Sequence, residues 1–193
     1  MKRFAAVFPA MALLFLLASC GAAPTPLLDL SGLRDESGHF VPKNTAWHAS
    51  AQEAKQSLGT AIGMPKSTAA SGPNTYIKKN AVDRDGHVGR TYYTFGNDGL
   101  WKMGYIFEDR EKDLGELFDS VSAELLELYG EPDFSGLNKG VSDDTYDSEA
   151  EMILWTEGRK DSDAAHISML YLSKFFIEGE PASVTITMEI EQK

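Results

Sequence analysis

The stretch 113–132, DLGELFDSVSAELLELYGEP, is the segment whose period, start signal and stop signal all agree. Leu114, Leu117, Phe118, Val121, Leu125, Leu128 and Tyr129 recur at spacings of three and four, which places them on one stripe of a helix. Asp113 suits an N-cap, and Glu116 three positions later completes the pattern of a capping box. Gly130 can take the left-handed position after the last turn, and Pro132 cannot continue the helix. Burying seven apolar side chains is worth on the order of 10 to 20 kcal/mol before entropy is counted against it. Such a helix needs a sheet to lie on, and strand candidates stand on both sides of it.

Three of them precede the helix: 76–82, then 87–95 after an Asp85-Gly86 turn, then 100–108 after Asn97-Asp98-Gly99. A two-residue turn in the last hairpin would put Tyr93 and Phe95 on the face of Lys102. A three-residue loop with Gly99 left-handed gathers Tyr93, Phe95, Trp101, Met103, Tyr105 and Phe107 on one face, and patterning favours it. The helix 114–129 is expected to cover that aromatic face. Its reverse would carry Tyr92, Thr94 and Lys102, joined by Thr185 and Thr187; these five form the candidate partner-binding face, and a plain solvated sheet side is the alternative.

Segments 152–156, 166–172 and 183–191 are the later strands. In the last, Val184, Ile186, Met188 and Ile190 alternate with Thr185, Thr187, Glu189 and Glu191, which implies an antiparallel sheet with one wet face. Upstream, Ser50 and Glu53 form a second capping box, Ala54 and Leu58 repeat at i, i+4, and Gly59 ends a short helix. The fold class is therefore α+β, with two helices on one face of a mainly antiparallel sheet of about six strands. The order helix, three strands, helix, three strands reads as a degenerate tandem α-β-β-β repeat.

At the start, Met1-Lys2-Arg3 is a short cationic region and 4–18 is apolar apart from Pro9, a run better suited to a signal peptide than to a membrane span. It ends in Leu17-Ala18-Ser19-Cys20-Gly21, which resembles the lipobox of bacterial lipoproteins. The resemblance implies cleavage after residue 19 and acylation of Cys20, an effectively permanent membrane anchor. It also implies an extracytoplasmic location on the cell membrane. In a host with an outer membrane that is the expected site, because Gly21 is not the aspartate that marks inner-membrane retention in enterobacterial lipoproteins. The chain then divides into a signal peptide 1–19, a lipidated flexible tether 20–46 and one globular domain 47–193. The alternative for the tether is that Leu27, Leu28, Leu30 and Leu33 dock on the domain as a short helix.

Removing 1–19 takes Lys2 and Arg3 from 18 basic residues and leaves 16 against 29 acidic ones, a net charge of −13. Nucleic acid is excluded as a partner on that balance. With Cys20 the only cysteine, no disulfide staples the domain. The helix–strand order and the Leu58-Gly59 and Tyr129-Gly130-Glu131-Pro132 helix ends are similar to tandem folds of the β-lactamase-inhibitor-protein type. Each half is similar to the small SmpA/BamE assembly lipoproteins. Both families bind proteins, which implies a protein-interaction role with no catalytic residues.

Motifs for chemistry are thin: no G-x-S-x-G, S-x-x-K, P-loop, H-E-x-x-H or G-x-G-x-x-G. His39, His48, His87 and His166 stand apart, and the acidic run of Asp143, Asp144, Asp147, Glu149 and Glu151 lacks calcium-loop spacing. No cofactor, metal or catalytic residue is expected. The favoured function is a non-enzymatic interaction or accessory module of the bacterial cell envelope, bound to the membrane through Cys20 and to an envelope protein of unknown identity. The alternative is a cell-wall or glycan-directed hydrolase, or a small-ligand-binding lipoprotein, built from scattered carboxylates and aromatics such as Trp101, Tyr105 and Trp155.

Overall fold

The computed structural model describes residues 25–59, 62–65, 74–109, 113–139, 148–157, 168–177 and 180–190; the side chains of 62–65, 74–81, 138–139, 148–149, 177 and 180–181 are excepted. The expected signal peptide 1–19, Cys20, Asp143, Asp144, Asp147 and His166 lie outside these residues. Helix α1 spans Ala51–Leu58 and opens on the reciprocal Ser50–Glu53 capping box. In α2, Leu114–Tyr129, the Asp113 carboxylate accepts from the amides of Gly115 and Glu116, and the Gly130 amide closes the far end on the Leu126 carbonyl. Gly130 has φ +79° and ψ −162°, a positive-φ conformation that favours glycine but not the left-handed helical one expected there.

The strands are β1 Ile62–Pro65, β2 Asn74–Arg84, β3 His87–Gly96, β4 Gly99–Phe107, β5 Phe134–Lys139, β6 Ser148–Glu157, β7 Ser168–Ile177 and β8 Glu180–Ile190. They form one sheet in the order β1-β2-β3-β4-β8-β7-β6-β5, with every neighbouring pair antiparallel. The architecture is α+β, with eight strands where about six were expected. The additions are the two edges, β1 and β5. An edge strand satisfies its backbone on one side only, so it can be short, carry a proline or be glycine-rich and polar without showing alternation. Each helix is followed by a four-stranded meander, and the meanders meet through their last strands, β4 and β8.

One face of the sheet is the core side, with Tyr93, Phe95, Leu100, Met103, Tyr105, Phe107, Ile153, Trp155, Leu170, Leu172, Val184, Ile186 and Met188 buried. Leu114, Leu117, Phe118, Val121 and Leu125 of α2 join that core, as do Ala54 and Leu58 of α1. Leu128, expected on the buried stripe, is exposed, while its neighbour Tyr129 packs against the core; α2 lies over β7 and β8. The aromatic face of β3 and β4 is therefore not the surface α2 covers.

The flexible tether expected over 20–46 does not extend through its described part. Leu28, Leu30, Leu33 and Phe40 are all buried in the core, Leu33 in a single turn of 3-10 helix, Ser31–Leu33. This strap is stitched down along its length. The Asp83 amide donates to the Pro26 carbonyl and the Leu28 amide to the Asp83 carbonyl, at 2.9 and 2.8 Å. Tyr129 donates its hydroxyl to the Leu30 carbonyl, the Phe40 amide donates to Ser168 Oγ, and Trp47 Nε1 donates to the Phe40 carbonyl. Arg34 pairs with Glu157 and stands over the rings of Phe40 and Tyr129. The Asp29 carboxylate of the strap adds to the rise that burial imposes on the Tyr105 phenol.

The β3–β4 hairpin has Gly99 at positive φ but pairs it with Gly96, so the loop is Asn97-Asp98 and not the three residues expected; farther from the turn Tyr93 pairs with Met103 and Thr94 with Lys102. A register shift between Thr94 and Phe95 then pairs Phe95 with Leu100. The bulge drops Leu100 into the core in place of Trp101, which is only partly buried and lies beneath the Lys102 ammonium, 4.7 Å from its ring centre.

Candidate functional site

The reverse face of the sheet is the surface that neither helix nor strap occupies among the described residues, and register fixes what it displays. Cross-strand partners point the same way, so three rows cross the sheet from β3 to β6. Thr94, Lys102, Glu189, Met169 and Thr156 form the first; Tyr92, Gly104, Thr187, Tyr171 and Leu154 the second; Arg90, Ile106, Thr185, Ser173 and Met152 the third. Tyr92, Thr94, Lys102, Thr185 and Thr187 thus share one face.

Their accessibility differs. Thr94, Thr185 and Thr187 are buried, at 5 to 9% exposure. Tyr92 is half-buried for a specific reason. Gly104 leaves a gap at the centre of the sheet, and the Tyr92 ring lies across it to bring its hydroxyl 2.5 Å from Thr187 Oγ1. A side chain on residue 104 would collide with that phenol and with the Ile186 carbonyl, so the glycine is required by close approach. Burial pushes the Tyr92 phenol up to about 12, the Thr187 hydrogen bond pulls against it, and the Glu189 carboxylate adds to the rise.

Glu189 is the hub of the polar network. Its Oε2 accepts an ion pair from Lys102 Nζ at 2.8 Å, and its Oε1 accepts the Tyr171 hydroxyl at 2.6 Å. Burial raises the Tyr171 phenol, and the hydrogen bond to this anion raises it further. Tyrosine, lysine and glutamate hold one another still, which suits recognition more than proton transfer.

Toward β5 the same face becomes apolar. Phe134 pairs with Leu154 and is 43% exposed; Phe175 pairs with Ala150 and is 40% exposed. Met152 and Leu154 lie between them and Met169 one row beyond Leu154, each partly exposed. These residues, with Tyr171 and Glu189, are the accessible part of the face, and sequence reasoning missed them as a set. Phe134 sat in what read as a loop, and Phe175 beyond the expected end of its strand.

Tyr105 and Trp155, considered as sugar-stacking residues, are buried in the core, and Trp155 Nε1 donates to the Gly130 carbonyl at the end of α2. A hydrogen bond from Ser31 lowers the pKa of Asp29, and the Ser50 backbone amide lowers that of Glu53. Glu151, from the acidic run, pairs with Lys174 at 2.8 Å. Among the described residues no three His, Cys, Asp or Glu side chains gather as a metal would require. Compared with family models, curated proteins and solved structures, the chain matches none.

Proposed function

We propose that this protein is a lipid-anchored, extracytoplasmic, non-enzymatic module of the bacterial cell envelope that docks a partner protein on the free face of its sheet. The carrying observation is that face itself. It grades from the fixed Lys102–Glu189–Tyr171 network to an exposed apolar margin at Phe134, Leu154 and Phe175. Aromatic and methionine side chains beside a charged rim are the composition of a protein-binding patch. The lipobox at Leu17-Ala18-Ser19-Cys20-Gly21 supports the anchor, by resemblance to bacterial lipoproteins. Two units of one helix and four antiparallel strands, joined last strand to last strand, support a tandem duplication of the β-lactamase-inhibitor-protein kind.

Photo-crosslinking in intact envelopes tests the reading. A benzophenone amino acid placed at Phe134 or Phe175 is expected to trap a partner protein, and one at Asp119 on the outer side of α2 is not. Adducts from Asp119 alone, or equal adducts from all three, would move the interface off the sheet.

A further inference from the structure

The way the strap is fastened fixes where the membrane must be. Pro26 is held to Asp83 of β2, beside the β2–β3 turn, so the distance from Cys20 to the folded body is six residues of chain. Fully extended, six residues reach at most about 22 Å. The polar headgroup layer of one leaflet takes up roughly 5 to 8 Å of that.

At the attachment corner two large apolar side chains stand in solvent. Leu27 pairs with Asp83 and is 77% exposed; Val88, which pairs with Asp83 from the other side, is 53% exposed. All three belong to one row, on the sheet's free face, with the two apolar residues about 10 Å apart at ordinary strand spacing. Asp83 between them turns its carboxylate to the hairpin, where Oδ1 accepts the Gly86 amide at 3.2 Å. Leu28, the next residue along, is buried, so Leu27 is the side chain the strap turns outward immediately before it enters the core.

We infer that the β2–β3 corner rests on the bilayer, with Leu27 and Val88 seated in the headgroup–acyl boundary and the lipidated Cys20 holding them there on a short leash. The inference rests on the lipid anchor of the preceding section. A body of net charge −13 is repelled by an anionic surface and would not stay there unaided. The leash supplies the proximity, and two apolar side chains suffice to choose which corner turns down. The exposed margin at Phe134 lies five strand spacings from β3, about 24 Å across the sheet.

The test uses the full-length lipidated protein in vesicles of phosphatidylethanolamine and phosphatidylglycerol whose acyl chains carry bromine. Cys20 is the only native cysteine and its sulfur is acylated, so Val88→Cys and Asn97→Cys each offer one free thiol for an environment-sensitive fluorophore. Asn97 lies at the opposite end of β3, about 30 Å away. The label at 88 is expected to lose fluorescence to the brominated chains and the label at 97 to keep it. A twenty-residue Gly-Ser insertion after Ala23 should abolish the loss at 88. Equal behaviour of the two labels, or a loss at 88 that survives the insertion, overturns the inference. Mass analysis of the amino-terminal peptide separates the two levels. Acylated protein with an unquenched label at 88 sinks this inference alone, and a Cys20 without acyl groups sinks the anchor reading with it.

Discussion

Tyr92 reaches over the bare backbone of Gly104 to set its hydroxyl 2.5 Å from Thr187 Oγ1, linking β3 to β8 across the strand between them. Gly104→Ala removes the space the phenol occupies and is expected to destabilise the domain by about 1 to 3 kcal/mol, as overpacking does. Tyr92→Phe keeps the ring and loses only the hydrogen bond, a loss of about 1 kcal/mol. Urea denaturation of both variants checks the order; a Gly104→Ala as stable as the parent would mean Tyr92 does not lie where described.

Phe40 distinguishes a strap from a tether. It is fully buried, meets Tyr129 edge to face with ring centres 5.3 Å apart, and anchors its amide on Ser168. Phe40→Ala is expected to cost about 3 to 5 kcal/mol, the range for a buried aromatic. A chain beginning at residue 47 should melt earlier still. Neither change would register in thermal melts if the segment hung free.

On α2, Leu125 and Leu128 are three positions apart but differ in environment, one fully buried and the other exposed. Leu125→Ala should cost about 2 to 5 kcal/mol. Leu128→Ala should stay within about 0.5 kcal/mol. Parity between the two in chemical denaturation would misplace the helix on the sheet.

Alkaline pH gives a further test. Burial raises the phenols of Tyr92 and Tyr105 to about 12, and also raises those of Tyr93, Tyr129 and Tyr171. A phenol that ionises later folded than unfolded binds its proton more tightly in the native state. Its stabilisation is complete below pH 10 and is lost as pH climbs through the folded value. Between pH 10 and 12 Tyr92 and Tyr105 should each withdraw about 1.4 kcal/mol per pH unit. Phenolate absorbance should therefore rise together with loss of circular dichroism, and Tyr92→Phe should soften the decline. Phenols that all titrated near 10 with the fold intact would contradict the burial.

What the sequence could show depended on whether one segment carried its own signal. Both helices, with their caps and glycine stops, were legible because capping and 3.6-residue periodicity are local. The alternation of β8 was legible for the same reason. Trp101 was misplaced because a bulge one residue wide shifts which side chain turns inward, and no local pattern announces it. Residues 20–46 read as linker by composition, yet Leu28, Leu30, Leu33 and Phe40 are buried in the core, four apolar side chains among many small polar ones. The free face was half legible: Tyr92 and Lys102 follow from one hairpin, but Phe134, Tyr171 and Phe175 join them only once β4 is known to pair with β8.

That central pairing has a kinetic consequence. Lys102 pairs with Glu189, 87 positions later (189 − 102), and β8 is inserted between β4 and β7 after every other strand has been made. Neither meander can close its inner edge beforehand, so the slowest and most cooperative step waits for the final strand.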